Sequence, residues 1–308
     1  MTIRGILCDL DGVVYRGQHA CPGAVEGLTA AREAGVRVLF MTNNASRPPQ
    51  AVAQHLTDLG LVTGADEVLT ASQVAASVLA DETADTGETE GAEIADTGET
   101  EGAEFADAPE TAPAPATSAA TVLAVGGPGV ALALEEEGFT ALTPAQVRSA
   151  VEAGQQGPRI DAVVQGYGAD VSALDLAEAA YAIAEGAAWV ATNDDATLPT
   201  ARGLAPGNGS LVAAVAHATG AVPRVVGKPH APAYQVALDR LGVEAAECLM
   251  IGDRLNTDIA GARAVGLASA LVLTGVSTRE EAAAADERQR PDHVVETIPD
   301  LAHLWSAS

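Results

Sequence analysis

Short apolar runs alternate with longer amphipathic stretches along this 308-residue chain, and several of the runs end abruptly at polar residues. Four such runs occupy residues 6–8, 36–41, 225–226 and 248–251. Short, mostly apolar runs separated by segments with helical spacing predict strands that are buried on both faces of a parallel sheet. The pattern therefore predicts an α/β fold with a Rossmann-like core of parallel strands and helices.

The middle of the chain repeats this alternation. Further strands are predicted at 121–125, 162–164 and 189–191, and helices at 130–137 and 174–185. We therefore expect a second α/β layer that is inserted into the first as a cap domain. The predicted division is a core built from 1–71 and 206–308, with the cap at 72–205.

Residues 81–117 interrupt the predicted cap with a different composition. They contain twelve acidic residues and no Lys, Arg or His, and the sequence ADTGETEGAE occurs at 84–93 and again at 95–104. The segment has no helical or strand period, so it cannot bury enough apolar surface to offset the entropy lost on ordering. We predict a disordered acidic insertion.

The charge of the chain argues against nucleic acid as a partner. The formal net charge is −26, and it is still −14 without the twelve acids of that insertion, whereas phosphate backbones attract positive charge. No apolar run approaches the roughly 20 residues that cross a bilayer, and too few apolar residues precede Asp9 for a secretory signal. Cys8, Cys21 and Cys248 lack paired or metal-ligand spacing. We expect free thiols and a cytoplasmic protein without a membrane partner.

Candidate chemistry begins directly after the first apolar run. Asp9 and Asp11 stand two residues apart, so they start on one side of an extended chain, and Gly12 permits a sharp turn. Two neighbouring carboxylates are unfavourable without a cation, and hard oxygen ligands indicate Mg²⁺. Taken alone, the pattern is equally compatible with a polar turn at the end of a strand.

The other three runs end at matching polar groups. Thr42, Asn43 and Asn44 follow one run, Lys228 follows another, and Asp253 with Asp258 follows the last. Ligands of open α/β sheets collect at the carboxyl ends of the strands, so these groups are expected to converge on a phosphate site with a metal.

Each group also has a purely structural interpretation. Thr42 and Asn43 are residue types that cap helices. A lysine such as Lys228 is commonly a solvated surface residue, and a carboxylate such as Asp258 is favoured near a helix start by the macrodipole.

The four segments together resemble the motifs of the haloacid dehalogenase-like phosphatases. These are DLDGVVYRG at 9–17, TNNASRPP at 42–49, GKPHAPAY at 227–234 and GDRLNTDIAGARAVG at 252–266. Their order and spacing resemble the branch with a large α/β cap between the second and third motifs, which includes p-nitrophenylphosphatase-like, nucleotide, phosphoglycolate and glycerol-3-phosphate phosphatases.

The resemblance implies a role for each matching residue. Asp9 would be the nucleophile that forms an aspartyl phosphate, and Asp11 the general acid and base. Lys228 and Thr42 would bind the phosphoryl oxygens, with donors from Leu10, Asn43 and Asn44. Magnesium would be held by Asp9, the Asp11 carbonyl and Asp253, with Asp258 orienting its water shell or the loop.

The resemblance further implies hydrolysis of a small phosphorylated metabolite, and glycerol 3-phosphate is the best candidate. Phosphoglycolate, a sugar phosphate or a nucleotide are alternatives. A phosphomutase and a non-catalytic phosphate-metabolite binding protein are further alternatives, although the predicted cap is large for the first and the intact Asp9 and Asp11 argue against the second. The same family leaves a homodimer possible, and leaves open whether Asp195 or Arg202 contacts substrate.

Overall fold

The computed structural model describes residues 3–88, 120–155, 157–200 and 202–305. Its strands are β1 (Gly5–Cys8), β2 (Tyr15–Arg16), β3 (His19–Ala20), β4 (Arg37–Thr42), β5 (Val68–Thr70), β6 (Thr121–Val125), β7 (Thr140–Leu142), β8 (Ala162–Gln165), β9 (Ala188–Ala191), β10 (Thr197–Thr200), β11 (Gly203–Pro206), β12 (Arg224–Val225), β13 (Cys248–Gly252), β14 (Ala268–Val272) and β15 (His293–Val295).

The α-helices are α1 (Ala24–Glu33), α2 (Pro49–Asp58), α3 (Ala71–Glu88), α4 (Pro128–Glu136), α5 (Pro144–Glu152), α6 (Ala173–Ala184), α7 (Asn208–Thr219), α8 (Ala231–Leu241), α9 (Ala260–Ala264) and α10 (Arg279–Ala284). Within the described residues, 3₁₀ turns lie at Ala65–Glu67, Ala245–Glu247 and Ile298–Leu304, and a π-helical turn at Leu255–Ile259 precedes α9.

A six-stranded parallel sheet forms the core, in the order β15-β14-β13-β1-β4-β5. Strand β1 lies between β13 and β4, and all four of its residues are buried. Ile6 packs in one apolar cluster and Leu7 in another, because successive side chains of a strand point to opposite faces. The predicted α/β fold with a parallel-sheet core is confirmed.

A second parallel sheet has the order β12-β9-β8-β6-β7. It forms the predicted second α/β layer, and the helices predicted at 130–137 and 174–185 correspond to α4 and α6. The strand that precedes Lys228 was expected in the core, but β12 pairs with β9 of this second sheet. Helix α7 also contributes Val212 and Val215 to the apolar cluster of this layer. Both β12 and α7 follow residue 206 in the sequence, yet they associate with the second sheet. The domain boundary at residue 206 stays a prediction.

The acidic insertion predicted at 81–117 differs from the structure at its start. Residues 81–88 are the last turns of α3 rather than disordered, because the helix begins in the apolar segment from Ala71 and continues into the acidic one. Residues 89–117 lie outside the described residues. Within the described ranges, helices are too short or too polar to cross a membrane.

Candidate active site

Asp9 and Asp11 leave the end of the central strand β1. The Asp9 N–H donates to the Ile251 carbonyl at 2.9 Å, which prolongs the pairing with β13, and the chain then turns. Gly12 adopts φ +85°, and a Cβ there would lie 2.4 Å from Asp253 Oδ2. Glycine is therefore required by both the backbone conformation and the close approach of Asp253.

Lys228 joins two of the predicted site carboxylates. Its Nζ donates to Asp9 Oδ1 at 2.5 Å and to Asp258 Oδ1 at 2.8 Å. The residue is 3% exposed, so the alternative of a solvated surface lysine is wrong. Burial alone would lower the pKa of Lys228, but the charges of Asp258 and Asp9 outweigh it and raise the pKa well above its usual range. The ammonium is therefore a fixed positive charge.

Asp253 and Asp258 come from the loop and π-helical turn that follow β13. Asp258 Oδ2 accepts the N–H groups of Asp253 at 3.2 Å and Arg254 at 3.1 Å, while its Oδ1 faces Lys228. Stabilisation of a helix start by Asp258 thus accounts for its Oδ2 but does not explain the contact of its Oδ1 with Lys228. Asp253 Oδ2 accepts the Val276 N–H at 2.7 Å, whereas its buried Oδ1 has no hydrogen-bond partner among the described residues.

Asp9, Asp253 and Asp258 form a carboxylate cluster, in which one oxygen of each lies within 4.8 Å of the others. If all three carboxylates are ionised, the single Lys228 ammonium leaves two negative charges uncompensated in a buried space, and a divalent cation would balance them. The unpartnered Asp253 Oδ1 offers such an ion a hard ligand atom. The residues present fit a magnesium ion, and the Asp11 side chain lies outside this cluster.

Burial raises the pKa values of Asp9, Asp11 and Asp253. It raises the pKa of Asp9 well above the usual value, although Lys228 opposes the shift. Burial, followed by the charge of Asp258, raises the pKa of Asp253 to about 6. The Asp11 side chain is exposed towards the cavity, yet the enclosure of its surroundings raises its pKa as well. A raised pKa at Asp11 suits a group that must hold a proton for part of a reaction cycle. At Asp9 and Asp253, a bound cation would favour the ionised form instead.

In the loop after β4, the side chains of Thr42 and Asn44 accept hydrogen bonds from nearby backbone N–H groups. Thr42 Oγ1 accepts the Asn44 N–H at 3.1 Å, and Asn44 Oδ1 accepts the Ser46 N–H at 2.9 Å. Helix α2 has no side-chain cap, and it begins only at Pro49, so the alternative of Thr42 and Asn43 as its capping residues is wrong.

The Asn43 carboxamide holds the segment that carries Lys228. Its Oδ1 accepts the Lys228 N–H at 2.9 Å, and its Nδ2 donates to the Lys228 carbonyl at 2.9 Å and to Asp195 Oδ2 at 3.2 Å. Asn193 Nδ2 in turn donates to the Asn43 carbonyl at 2.7 Å. These bonds tie the end of β4 to the loops that follow β9 and β12.

Tyr234 and Gly261 are structural supports that the sequence interpretation did not single out. The buried Tyr234 hydroxyl donates to the carbonyls of Thr257 at 2.9 Å and Asp258 at 3.1 Å. A Cβ at Gly261 would lie 2.3 Å from the tyrosine ring, so the glycine makes room for it. Both residues lie within the recognised motifs, and a glycine inside a helical stretch was the available signal.

Asp9, Asp11, Lys228 and Asp258 line an active-site cavity of about 270 Å³ between the two sheets, whereas Asp253 and Tyr234 lie behind its wall. Asp195 is part of its wall, whereas Arg202 is exposed in the β10–β11 turn and is not part of it. The lining residues are Asp9, Asp11, Thr42, Asn43, Asn44, Ser46, Tyr167, Asn193, Asp195, Thr197, Leu198, Gly207, Asn208, Lys228, Arg254, Thr257 and Asp258. Of these, Ser46, Thr197, Arg254 and Thr257 were given no role from the sequence, although Ser46, Arg254 and Thr257 lie within the matched motifs.

Similar proteins support the interpretation of the motifs. The chain matches the haloacid dehalogenase-like hydrolases over residues 6–140 and a HAD-hydrolase-like family over residues 225–301. It is 40% identical to the D-glycerol 3-phosphate phosphatase of Mycobacterium tuberculosis, over 96% of this chain and 70% of that protein. It is 30% identical to the 5′-nucleotidase YutF of Bacillus subtilis, over 97% of each chain.

Solved structures give the same result. The glycerol phosphate phosphatase of Mycobacterium tuberculosis in complex with magnesium superposes with a TM-score of 0.77 and 38% identity, over 97% of this chain and 76% of that one. The p-nitrophenyl phosphatase of Archaeoglobus fulgidus gives a TM-score of 0.77 and 27% identity, over 98% and 99% of the two chains. The chain therefore belongs to the haloacid dehalogenase-like hydrolase family, in the branch of phosphatases with a large α/β cap.

Proposed function

We propose that this protein is a magnesium-dependent phosphatase of small metabolites that works through an aspartyl phosphate on Asp9, with glycerol 3-phosphate as the best candidate substrate. The observation that carries the proposal is the buried contact of Lys228 with Asp9 and Asp258, beside the unpartnered oxygen of Asp253 and facing the active-site cavity. A cytoplasmic location is part of the proposal, supported by three buried free thiols.

The reaction consists of two substitutions at phosphorus, with Asp9 as the attacking group in the first and the leaving group in the second. The Asp9 carboxylate oxygen attacks phosphorus, the bond to the ester oxygen breaks, and Asp11 gives that oxygen a proton. Asp11 then takes a proton from water, whose oxygen attacks phosphorus, so that the phosphorus–Asp9 bond breaks and inorganic phosphate leaves. The two steps restore both carboxyl groups, and each is easier than a single displacement by water.

The phosphoryl oxygens need donors during both steps. Lys228 supplies a compact positive charge that is already held against Asp9. The Thr42 hydroxyl accepts the Asn44 N–H, so its own proton is free to point at a phosphoryl oxygen. We assign the N–H groups of Leu10 and Asn43 as additional donors, with Asn44 shaping the loop.

Asp9, the Asp11 carbonyl and Asp253 would hold magnesium, and Asp258 would fix the loop through Asp253 and Arg254. The ion supplies charge neutralisation for the transferring phosphoryl group. Asp258 accepts two backbone N–H groups there, and it keeps Lys228 from turning away from Asp9.

The cavity favours a small, hydroxyl-bearing substrate. Its volume of about 270 Å³ lies below the usual range of roughly 300–1,000 Å³ for ligand pockets. Its wall includes the hydroxyl groups of Ser46 and Thr197 and the carboxylate of Asp195, to which hydroxyl groups of a substrate can donate. The similar glycerol 3-phosphate phosphatase supports the same substrate.

A phosphate-release assay with magnesium tests the proposal. Glycerol 3-phosphate should give the highest kcat/KM in a panel with phosphoglycolate, sugar phosphates and nucleotides. Chelation should stop release, and Asp9→Asn should abolish it while the melting temperature stays near that of the wild type. Release by Asp9→Asn would refute the covalent step, an isomerised phosphoester would indicate a mutase, and no release from any substrate would indicate a binding protein.

A further inference from the structure

A short hairpin stands directly behind the proposed acid Asp11. The Gly12 N–H donates to the Tyr15 carbonyl at 2.8 Å, and Asp11 itself forms a β-bridge with Tyr15. Strands β2 and β3 pair antiparallel, with Tyr15 opposite Ala20, and Gly17 lies in the turn with φ +60°. The position of Asp11 is therefore linked to the position of this hairpin.

His55 in the last turn of α2 holds the hairpin at two points. Its Nε2 lies 3.1 Å from the Gly17 carbonyl oxygen, and because a carbonyl only accepts, Nε2 must carry the proton. Its ring stands edge to face against Tyr15, with centroids 4.7 Å apart and planes at 76°. Neither contact reaches the cavity, since His55 is not among its lining residues.

The opposite side of the hairpin is held as well. Arg16 Nη2 donates to the Gly275 carbonyl at 2.9 Å, and Thr274 Oγ1 donates to the Gly12 carbonyl at 2.7 Å. These bonds link the hairpin to the loop that packs against Asp253. The side of the hairpin with Arg16 is thus held near Asp253, the predicted metal ligand. Its tip, at Gly17, is held to α2 by His55.

We propose that His55 is a positioning residue for Asp11, which aligns the acid with the departing ester oxygen through Gly17 and Tyr15. This inference rests on the proposed function, because it assumes that Asp11 donates a proton. Alignment of an acid matters only when the leaving group needs the proton. A poor leaving group such as the alkoxide of glycerol requires protonation, whereas p-nitrophenolate departs with little help.

The experiment compares kcat for glycerol 3-phosphate and p-nitrophenyl phosphate in variants of His55. His55→Phe keeps the ring but loses the N–H donor, and His55→Gln keeps a donor but loses the ring. His55→Phe should lower kcat for glycerol 3-phosphate about 10-fold, part of the roughly 10²–10⁴-fold that acid–base catalysis contributes, and change kcat for p-nitrophenyl phosphate by less than about 2-fold. His55→Gln should recover most of the loss.

Two further variants separate the possible failures. His19→Ala removes a histidine from the same hairpin without touching α2, and it should leave both rates unchanged. Asp11→Asn should show the same preference for the better leaving group, but more strongly. If Asp11→Asn slows both substrates equally, the acid role in the proposed function fails, and the inference with it. If Asp11→Asn discriminates and His55→Phe does not, only the role of His55 is overturned.

Discussion

Replacing Gly275 with alanine should weaken magnesium binding without removing any ligand atom. A Cβ at this position would lie 2.0 Å from Asp253 Oδ2 and 2.3 Å from Asp253 Cγ. Asp253 Cβ would lie at 2.1 Å as well. Comfortable contacts between such atoms need about 3.5 Å, so Asp253 must move by roughly 1.5 Å. Gly275 does not have a positive φ, so alanine is compatible with its backbone conformation. Because Asp253 Cβ is fixed to the backbone, the Asp253 segment must shift together with its carboxylate.

The expected size follows from the cost of overpacking a closely packed site. Such insertions cost about 1–3 kcal/mol, which corresponds to roughly 5- to 150-fold in a dissociation constant. Because Asp253 is the carboxylate with an unpartnered oxygen, we expect this cost to appear in magnesium binding. The magnesium concentration for half-maximal phosphate release should rise by that factor, with a smaller decrease of kcat at saturating magnesium.

Gly157→Ala is the matched control. Its Cβ would meet the nearest atom at 3.4 Å, and its φ is not positive, so its magnesium midpoint should equal that of the wild type. An unchanged midpoint for Gly275→Ala in a protein that still melts normally would refute the assignment of Asp253 as a metal ligand.

Two other predictions address the charges of the site. Lys228→Met leaves Asp9 and Asp258 without their shared cation, and breaking a buried ion pair costs about 3–5 kcal/mol; urea unfolding without metal should show a loss of this order, and an equally stable variant would contradict the buried pairing. Burial and Asp258 raise the pKa of Asp253 to about 6, so protons compete with magnesium at and below that pH. The magnesium midpoint should therefore rise as pH falls from 7 to 5, whereas a midpoint independent of pH would show that Asp253 does not bind the ion.

Much of the fold could be predicted because its strands are short, buried on both faces and separated by helical segments. The sheet to which β12 belongs could not be predicted, since two residues carry no period and pairing with β9 is decided by tertiary contacts. The helical state of residues 81–88 was missed for a related reason. Composition indicated disorder, but the helix that starts at Ala71 extends into the acidic residues.

The candidate site could be predicted as a set of residues more readily than as a set of interactions. Carboxylates, a hydroxyl and a lysine after strands are visible in the sequence, and the structure brings Asp9, Lys228 and Asp258 into contact. The bonds between Asn43 and the backbone of Lys228 join groups 185 positions apart, so no local pattern encodes them. The same holds for the support that Tyr234 gives to the Asp258 turn.

The pairing of β12 with β9 restricts how this enzyme can admit its substrate. Lys228 follows β12 by only three residues, so any swing of the second sheet as a rigid lid would pull the ammonium away from Asp9. Asn43 adds a second restraint, because its side chain hydrogen-bonds the Lys228 backbone from the core sheet. Substrate entry and product release are therefore expected to use the opening already present, or motions of individual side chains and loops. Rotation of the whole second sheet is not expected to open the site.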